Sequence, residues 1–209
     1  MSWFEALVLG IVQGLTEFLP ISSSGHLRIV PALFGWPDPC AAFSAIVQLG
    51  TMAAVLVYFA ADLWRIASSW VRALVRPELR GRLDTRLGWY LIFGTIPIGV
   101  FGLLFADQIE TGARDLRIVG WVLIVFGVVL YVVDRVMPQR KEVADLTLRD
   151  GLLFGLAQSL ALVPGVSRSG ATITAGRLLS FDRASAARFS FLLSVPAVVL
   201  SGAYEMRHV

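Results

Sequence analysis

Charged residues are scarce in this sequence, and their scarcity excludes most soluble folds. Only 16% of the 209 residues are charged, against about 25% in an average soluble domain. The lone cysteine, Cys40, excludes an internal disulfide and forms no metal-ligand pattern, so we expect a small packing residue there. Apolar residues make up 56% of the chain, which predicts an integral membrane protein with membrane lipids around it and no nucleic-acid partner.

Lysine is almost absent as well, and arginine carries nearly all of the positive charge. Lys141 is the only lysine among 18 basic residues. Arginines dominate two stretches, residues 62–86 and residues 135–149. Basic loops tend to remain on the cytoplasmic side of a membrane. We therefore expect cytoplasmic loops at 62–86 and 135–149, and an outside link at 107–117.

Uncharged runs predict the spanning helices. Residues 40–61, 87–106 and 118–133 approach or exceed the roughly 20 apolar residues that a crossing needs. A fourth apolar helix is expected at Phe189 and beyond. In the second run Pro97 lies among glycines, which indicate either a functional kink or, more simply, close helix packing; they are Gly94, Gly99 and Gly102. The predicted fold class is an all-α integral membrane protein with about four spanning helices.

The most polar stretch within this apolar sequence is QGLTEFLPISSSGH, residues 13–26. Residues 5–17 are too few to span, so the stretch is predicted to form the tip of a re-entrant hairpin that returns through 28–36. An ionisable residue at bilayer depth costs about 2.5–3.5 kcal/mol on insertion scales, which makes Glu17 a functional-site candidate. Pro20 removes a backbone donor before a group of anion-binding candidates at the next helix start. These are Ser22, Ser23, Ser24 and Gly25.

A second stretch, GLLFGLAQSLALVPGVSRSGATI at residues 151–173, repeats the first with a shift of 145. The matched pairs are Gly10 and Gly155, Gln13 and Gln158, Leu15 and Leu160, Ser22 and Ser167, Ser24 and Ser169, and Gly25 and Gly170. Three predicted crossings separate the copies, so the second should be inverted relative to the first. This pattern predicts an inverted-topology repeat with two re-entrant helix hairpins whose serine-rich turns face one another.

The repeat also predicts the domain organisation. We expect one membrane domain over 1–209, with the first copy at about 1–136 and the second at about 149–209. The start, MSWFEALVLG, lacks the features of a removable signal peptide. Partners of the spans 87–106 and 118–133 would fall at about 232–280, so the second copy is expected to be truncated. We accordingly expect a fragment of a parent of roughly 260–280 residues, or a partner subunit that supplies the missing cover.

In the repeat register Ser23 matches Arg168, a pairing that suits a phosphate group. A guanidinium presents a planar fork to phosphate oxygens, and nearby hydroxyls complete a cradle. The cradle candidates are Ser167, Ser169 and Thr172. Ser23 or Ser22 can attack phosphorus, with His26 as the activating base or the leaving-group acid. Glu17 would orient His26 or hold a divalent ion, and Gln13, one turn earlier, can add a carbonyl ligand.

Each of these residues also has a purely structural explanation. Serines before a helix are commonly N-caps, His26 can be a hydrogen-bonded packing residue, and Arg168 can simply pair with Glu17. The combination favours a functional site, because a buried ion pair needs no triple serine and a helix cap needs neither charge at bilayer depth.

The motifs resemble those of the undecaprenyl-diphosphate phosphatase family, the bacterial membrane enzymes also called bacitracin-resistance proteins. The family's first motif, an acid or Gln followed by Glu after three intervening residues, is matched by Gln13 and Glu17, and its LPISSSGH segment by residues 19–26. Its second motif, P-G-x-S-R-S-x-x-T, is matched by residues 164–172. The resemblance covers essentially the whole chain. Some members have two acids in the first motif, where this chain has Gln13.

The resemblance implies hydrolysis of undecaprenyl diphosphate to the monophosphate and inorganic phosphate, which recycles the lipid carrier of peptidoglycan synthesis. It also implies a divalent cation, Mg²⁺ or Ca²⁺, and a site open to the outer face of the bacterial plasma membrane. The family's catalytic roles would fall on Glu17, Ser23, His26 and Arg168, with either serine or histidine as nucleophile. Metal binding would fall chiefly on Glu17, with Gln13 beside it. A homo-oligomer is compatible with this reading.

A polyprenyl-phosphate transporter or flippase is the rival hypothesis, because inverted repeats and broken helices suit transport equally well. A transporter needs no nucleophile, whereas this sequence sets Ser, His and Glu opposite Arg. Phosphate release from a polyprenyl diphosphate in detergent, where transport is impossible, separates the two hypotheses.

Overall fold

The computed structural model describes residues 1–39, 41–106 and 115–205, and these described residues form nine α-helices. The helices are α1 Trp3–Phe18, α2 Ser23–Phe34, α3 Ala41–Tyr58, α4 Ala60–Val75, α5 Leu83–Leu104, α6 Leu116–Val136, α7 Leu148–Ser159, α8 Arg168–Leu178 and α9 Arg183–Glu205. The predicted all-α class is confirmed. The expectations for Cys40 and for most of the 107–117 link fall outside the described residues.

Three described helices, α5, α6 and α9, are long and apolar enough to cross a membrane. Helices α3 and α4 provide a fourth candidate if the bent pair counts as one span. The prediction of about four spanning helices is therefore confirmed by length and composition. Helix α5 begins before the predicted run 87–106 and ends at Leu104, whereas α6 extends beyond both ends of the run 118–133.

The predicted loop at 62–86 is wrong as secondary structure, while its cytoplasmic side stays a prediction. Most of it is helix α4, which meets α3 at Phe59 with a bend of 70°. Ile66 and Ala73, seven residues apart, are buried on one face of α4. On its exposed side Arg65 pairs with Asp84 at 3.0 Å and with Asp62. An amphipathic helix has the charge content of a loop, so the charge count alone could not identify it.

The two predicted hairpins are both present as pairs of short helices, α1 with α2 and α7 with α8. Their ends correspond with the shift of 145. Gly35 follows α2 with φ +66° and Ser180 follows α8 with φ +69°. At the other end, Ser22 and Ser167 are the N-caps of α2 and α8. The re-entrant course of the hairpins, their inverted orientation and the limits of the two copies stay predictions.

Helices α5 and α7 lie in very close contact. A Cβ atom added to Gly155 would lie 2.0 Å from the carbonyl oxygen of Gly94, so neither helix has room for a larger residue at this point. Gly94 therefore serves packing, whereas a Cβ on Gly99 or Gly102 would meet nothing within 4 Å. Small residues at such contacts are typical of helix packing in membranes.

Arg177 holds the far end of α8 against the end of α6. Its side chain is only 1% exposed and donates hydrogen bonds to the Asp134 carboxylate and to the carbonyl oxygens of Asp134, Met137, Pro138 and Phe181. A buried guanidinium that is fully hydrogen-bonded in this way is a structural group. Because α8 starts at Arg168, this anchor and the core around Phe154 fix the position of the predicted phosphate-binding arginine.

Candidate active site

Glu17 is the centre of the predicted site. It lies in the last turn of α1, and its carboxylate contacts three of the predicted site residues. Oε2 accepts hydrogen bonds from Ser23 Oγ at 2.5 Å and from Gln13 Nε2 at 3.2 Å. Oε1 accepts a hydrogen bond from Arg168 Nη2 at 2.5 Å, across 151 positions of sequence. The structure thus brings Gln13, Glu17, Ser23 and Arg168 together.

The Glu17–Arg168 pair is largely buried. The two side chains are 12% and 21% exposed, so the charges are partly removed from water and compensate one another. Neither charge would be stable alone at this depth in a membrane, where an isolated ionised side chain is costly. The pair places a carboxylate and a guanidinium side by side. Arg168 could exchange the carboxylate for an anionic ligand, and Glu17 could exchange the guanidinium for a cation.

The two serine-rich turns have the same hydrogen-bond pattern. Ser22 Oγ accepts from Gly25 N at 3.3 Å and contacts Ser24 Oγ at 3.2 Å. Ser167 Oγ accepts from Gly170 N at 3.0 Å and contacts Ser169 Oγ at 3.1 Å. Ser22 and Ser167 are therefore N-caps, as the structural explanation of these serines expected.

The turns also contact each other. Ser169 Oγ donates to the carbonyl oxygen of Leu19 at 3.4 Å. Thr172 is fully buried beneath the second turn, where its hydroxyl contacts Ser190 Oγ and the Arg168 carbonyl. Thr172 supports the helix that carries Arg168. Among the three cradle candidates Ser169 is the one that lines the cavity next to the ion pair.

His26 contacts the backbone of Ser22 and makes no described hydrogen bond to the Glu17 carboxylate. Its Nδ1 is 2.8 Å from the carbonyl oxygen of Ser22. In the described part of the chain no hydrogen bond joins His26 to Glu17, Ser23 or Arg168. The ring is thus oriented by Ser22, and a proton on Nδ1 leaves Nε2 as the nitrogen that can accept one.

A cavity adjoins the ion pair and lies between α1, α3, α8 and α9. It holds about 440 Å³ of empty space, some of which is continuous with the surroundings. Its polar lining consists of Glu17, Arg168, Ser169, Gln48, Thr51, Ser190 and Ser194. Its apolar lining includes Met52 and Val55 of α3 and Phe191, Val195 and Val198 of α9. Helix α9 thus presents a hydroxyl stripe and an apolar stripe to the same cavity, an arrangement that suits a ligand with a charged head and an apolar tail.

A family model described as bacitracin resistance protein BacA matches residues 6–209. The chain belongs to this family. A protein of Thermobifida fusca named undecaprenyl-diphosphatase is 57% identical over 209 residues, which is all of this chain and 72% of that protein. A Streptomyces griseus protein of the same name is 55% identical, over all of this chain and 76% of its own length. A third relative of that name, from Myxococcus xanthus, is 50% identical over all of this chain and 70% of its length. The resemblance inferred from the motifs is confirmed.

Metal donors are few in this BacA-family site. Glu17 is the carboxylate of the cavity lining, and among the described residues no group of three or more His, Cys, Asp or Glu side chains could hold a metal ion. Mg²⁺ is usually held by one or two carboxylates together with substrate phosphates and water. Glu17, with the amide of Gln13 beside it, fits this mode, in which the substrate completes the coordination.

Four neutral lining residues were missed from the sequence: Gln48, Thr51, Ser190 and Ser194. Single polar residues in an apolar helix carry no charge to mark them, and Thr51 and Ser194 bond backbone carbonyls of their own helices. One signal was available. With one residue of drift from the shift of 145, the repeat also matches Phe43-Ser44 with Phe189-Ser190, and Ser194 lies one helical turn after Ser190.

Proposed function

We propose that this chain hydrolyses undecaprenyl diphosphate to undecaprenyl phosphate and inorganic phosphate, and that this activity recycles the peptidoglycan lipid carrier and confers bacitracin resistance. The names of its relatives favour a hydrolase over a transporter. The observation that carries the proposal is the Ser23–Glu17–Arg168 cluster, whose ion pair lines a cavity that combines polar side chains with apolar side chains of α3 and α9.

Arg168 is the proposed phosphate-binding residue. Its guanidinium already holds one carboxylate oxygen of Glu17, and a phosphate oxygen has the charge and geometry to replace it. This exchange would free Glu17 Oε1 from the guanidinium, while Oε2 keeps its contact with the Ser23 hydroxyl. Ser169, which lines the cavity beside Arg168, can add a hydroxyl to the phosphate.

Ser23 is the proposed nucleophile, since its hydroxyl donates to Glu17 Oε2. In the first step Glu17 takes the Oγ proton while Oγ bonds to the terminal phosphorus. The bond from that phosphorus to the bridging oxygen breaks, and undecaprenyl phosphate leaves with the electron pair. Water then cleaves the phosphoseryl ester, releasing phosphate and restoring the Ser23 hydroxyl. His26 stays the candidate for proton transfer to the leaving group or from this water.

The cavity sets a direction for the lipid. With the diphosphate at Arg168, the first isoprene units would lie along Phe191, Val195 and Val198 of α9 and along α3. When bound, a divalent cation (Mg²⁺ or Ca²⁺) would offset the negative charge of the diphosphate, with Glu17 and Gln13 as its protein ligands. We place the chain in the bacterial plasma membrane with the site open to the outer side, from the positions of its basic stretches.

The proposal is tested by phosphate release from undecaprenyl diphosphate in detergent, measured with and without a chelator. A phosphatase releases phosphate there and loses activity when the chelator is added. A protein that releases no phosphate, yet moves the labelled lipid across the bilayer of a liposome, would be the transporter instead.

A further inference from the structure

Ser22 has an unusual backbone conformation. Its φ is +67° and its ψ is +99°, and among the described non-glycine residues only Ser180 shares a positive φ. Positive φ is sterically disfavoured for residues with a Cβ atom, and such residues cluster at functional sites. The conformation therefore calls for a physical reason.

Helix capping does not supply that reason. Ser167 makes the same cap in the second turn, with its Oγ accepting from the N–H three residues later, and its φ is −75°. Thr147 caps α7 in the same way with φ −111°. A negative φ is therefore sufficient for a cap, and the positive φ of Ser22 is not required by capping.

Pro20 explains where the strain falls. In the second turn the positive φ is at Gly165, +92°, and a shift of 145 matches Gly165 with Pro20. A proline ring fixes φ near −65°, so residue 20 cannot take that conformation. In the first turn the residue with positive φ is Ser22, two positions after Pro20.

The consequence lies in Glu17 and Ser23. Rotation about φ turns the chain before Ser22 relative to the chain after it, so the angle sets the end of α1 against the start of α2. With φ at +67°, Glu17 Oε2 and Ser23 Oγ are 2.5 Å apart. The Ser22 carbonyl also accepts from His26 N at 3.2 Å and lies 2.8 Å from His26 Nδ1.

We infer that Ser22 is a positioning residue for the proposed phosphatase reaction, and that it acts through its backbone angle and its carbonyl group. The residue is only 2% exposed and its hydroxyl is engaged in the cap, so it acts on the substrate through Ser23 and His26. The inference rests on the proposed function, which fixes Ser23 and Glu17 as the reacting groups.

The test compares three variants. Ser22→Thr keeps the capping hydroxyl but adds a β-branch, which a positive φ does not accommodate. Ser22→Asn keeps a capping oxygen and tolerates positive φ, so it is the rescue variant. Ser180→Thr introduces the same strain at φ +69°, beyond the opposite end of α8 from Arg168, and is the control for stability alone.

Phosphate release is measured per folded molecule in detergent, with kcat and KM separated. Ser22→Thr should lower kcat by roughly 10- to 100-fold with little change in KM, since small displacements of reacting groups have effects of this size. Ser22→Asn should remain within about threefold of the parent, and Ser180→Thr should lower the unfolding temperature without lowering kcat. Parental kcat in Ser22→Thr, or an equal loss in Ser180→Thr, would overturn the inference.

A second measurement does not depend on activity, so its failure is distinct from failure of the proposed function. Glu17→Cys and Ser23→Cys are combined in a Cys40→Ala chain and bridged with a short bifunctional thiol reagent. The bridging yield should fall when Ser22→Thr is added and persist with Ser22→Asn. An unchanged yield with Ser22→Thr would show that this angle does not set the distance between residues 17 and 23.

Discussion

Replacement of Arg168 by lysine is the sharpest test of the proposed phosphate site. Lysine keeps the positive charge but replaces a planar fork by a single nitrogen, so contact with two phosphate oxygens is reduced to one. Arg168 is the first residue of α8, and the variant keeps the Ser167 cap that precedes it. A lysine at this position can also still pair with Glu17, the described ion-pair partner of Arg168. The fold should therefore tolerate the change, while the site should not.

The expected loss follows from the number of contacts removed. Loss of one preorganised donor to developing charge costs about 100- to 1000-fold in kcat. Because the charge is kept, we expect the lower end, about 100-fold, which corresponds to about 2.7 kcal/mol. The assay is phosphate release from undecaprenyl diphosphate in detergent, with far-ultraviolet circular dichroism to confirm the helical content.

Arg183→Lys is the matched control. Arg183 pairs with Asp134 at 2.8 Å and is 61% exposed, and an exposed ion pair contributes about 1 kcal/mol at most. This variant should keep kcat within about twofold of the parent. If Arg168→Lys retained a similar rate, the guanidinium would not be the group that binds the reacting phosphate.

Three further changes test the metal, the topology and the packing. Glu17→Gln should lower the rate with and without added ion, since Glu17 is also the proposed base, and the remaining rate should not rise with added Mg²⁺ or Ca²⁺; a rise equal to the parent's would remove Glu17 as the ion's ligand. In a Cys40→Ala chain, an impermeant thiol reagent outside intact cells should miss Arg80→Cys and reach Gly112→Cys, and labelling of Arg80→Cys would reverse the proposed orientation. Gly155→Ala should lower the unfolding temperature by several degrees, since its Cβ would lie 2.0 Å from the Gly94 oxygen, whereas Gly99→Ala has open space and should not.

The charged part of the site could be predicted from sequence because charge is conspicuous in an apolar chain. Glu17 and Arg168 are 151 positions apart, yet the repeat register already set the two serine-rich turns opposite each other, and the structure joins them. For Ser22 and Ser167 the structural and the functional explanation both apply, because each serine caps a helix and also lies next to the Glu17–Arg168 cluster.

Other features could not be predicted, for reasons that differ. Helix α4 was not predicted because a count of charges does not show that its arginines lie on one face of a helix. Gln48 and Ser194 face the cavity only because α3 and α9 pack around it, and packing is a tertiary property. The contact between His26 Nδ1 and the Ser22 carbonyl depends on a backbone angle that no residue pattern indicates.

The contact between Glu17 and Arg168 has a consequence for product release. In the structure Arg168 is already paired with a carboxylate of the chain itself, so inorganic phosphate bound at the proposed site would have to displace Glu17 in order to remain. On the proposed binding mode the same competition faces the substrate, but its lipid tail would contribute apolar contacts along α9 that free phosphate lacks. On the proposed binding mode, the site would distinguish the substrate from inorganic phosphate by the lipid tail, and Glu17 would replace the departing phosphate at Arg168.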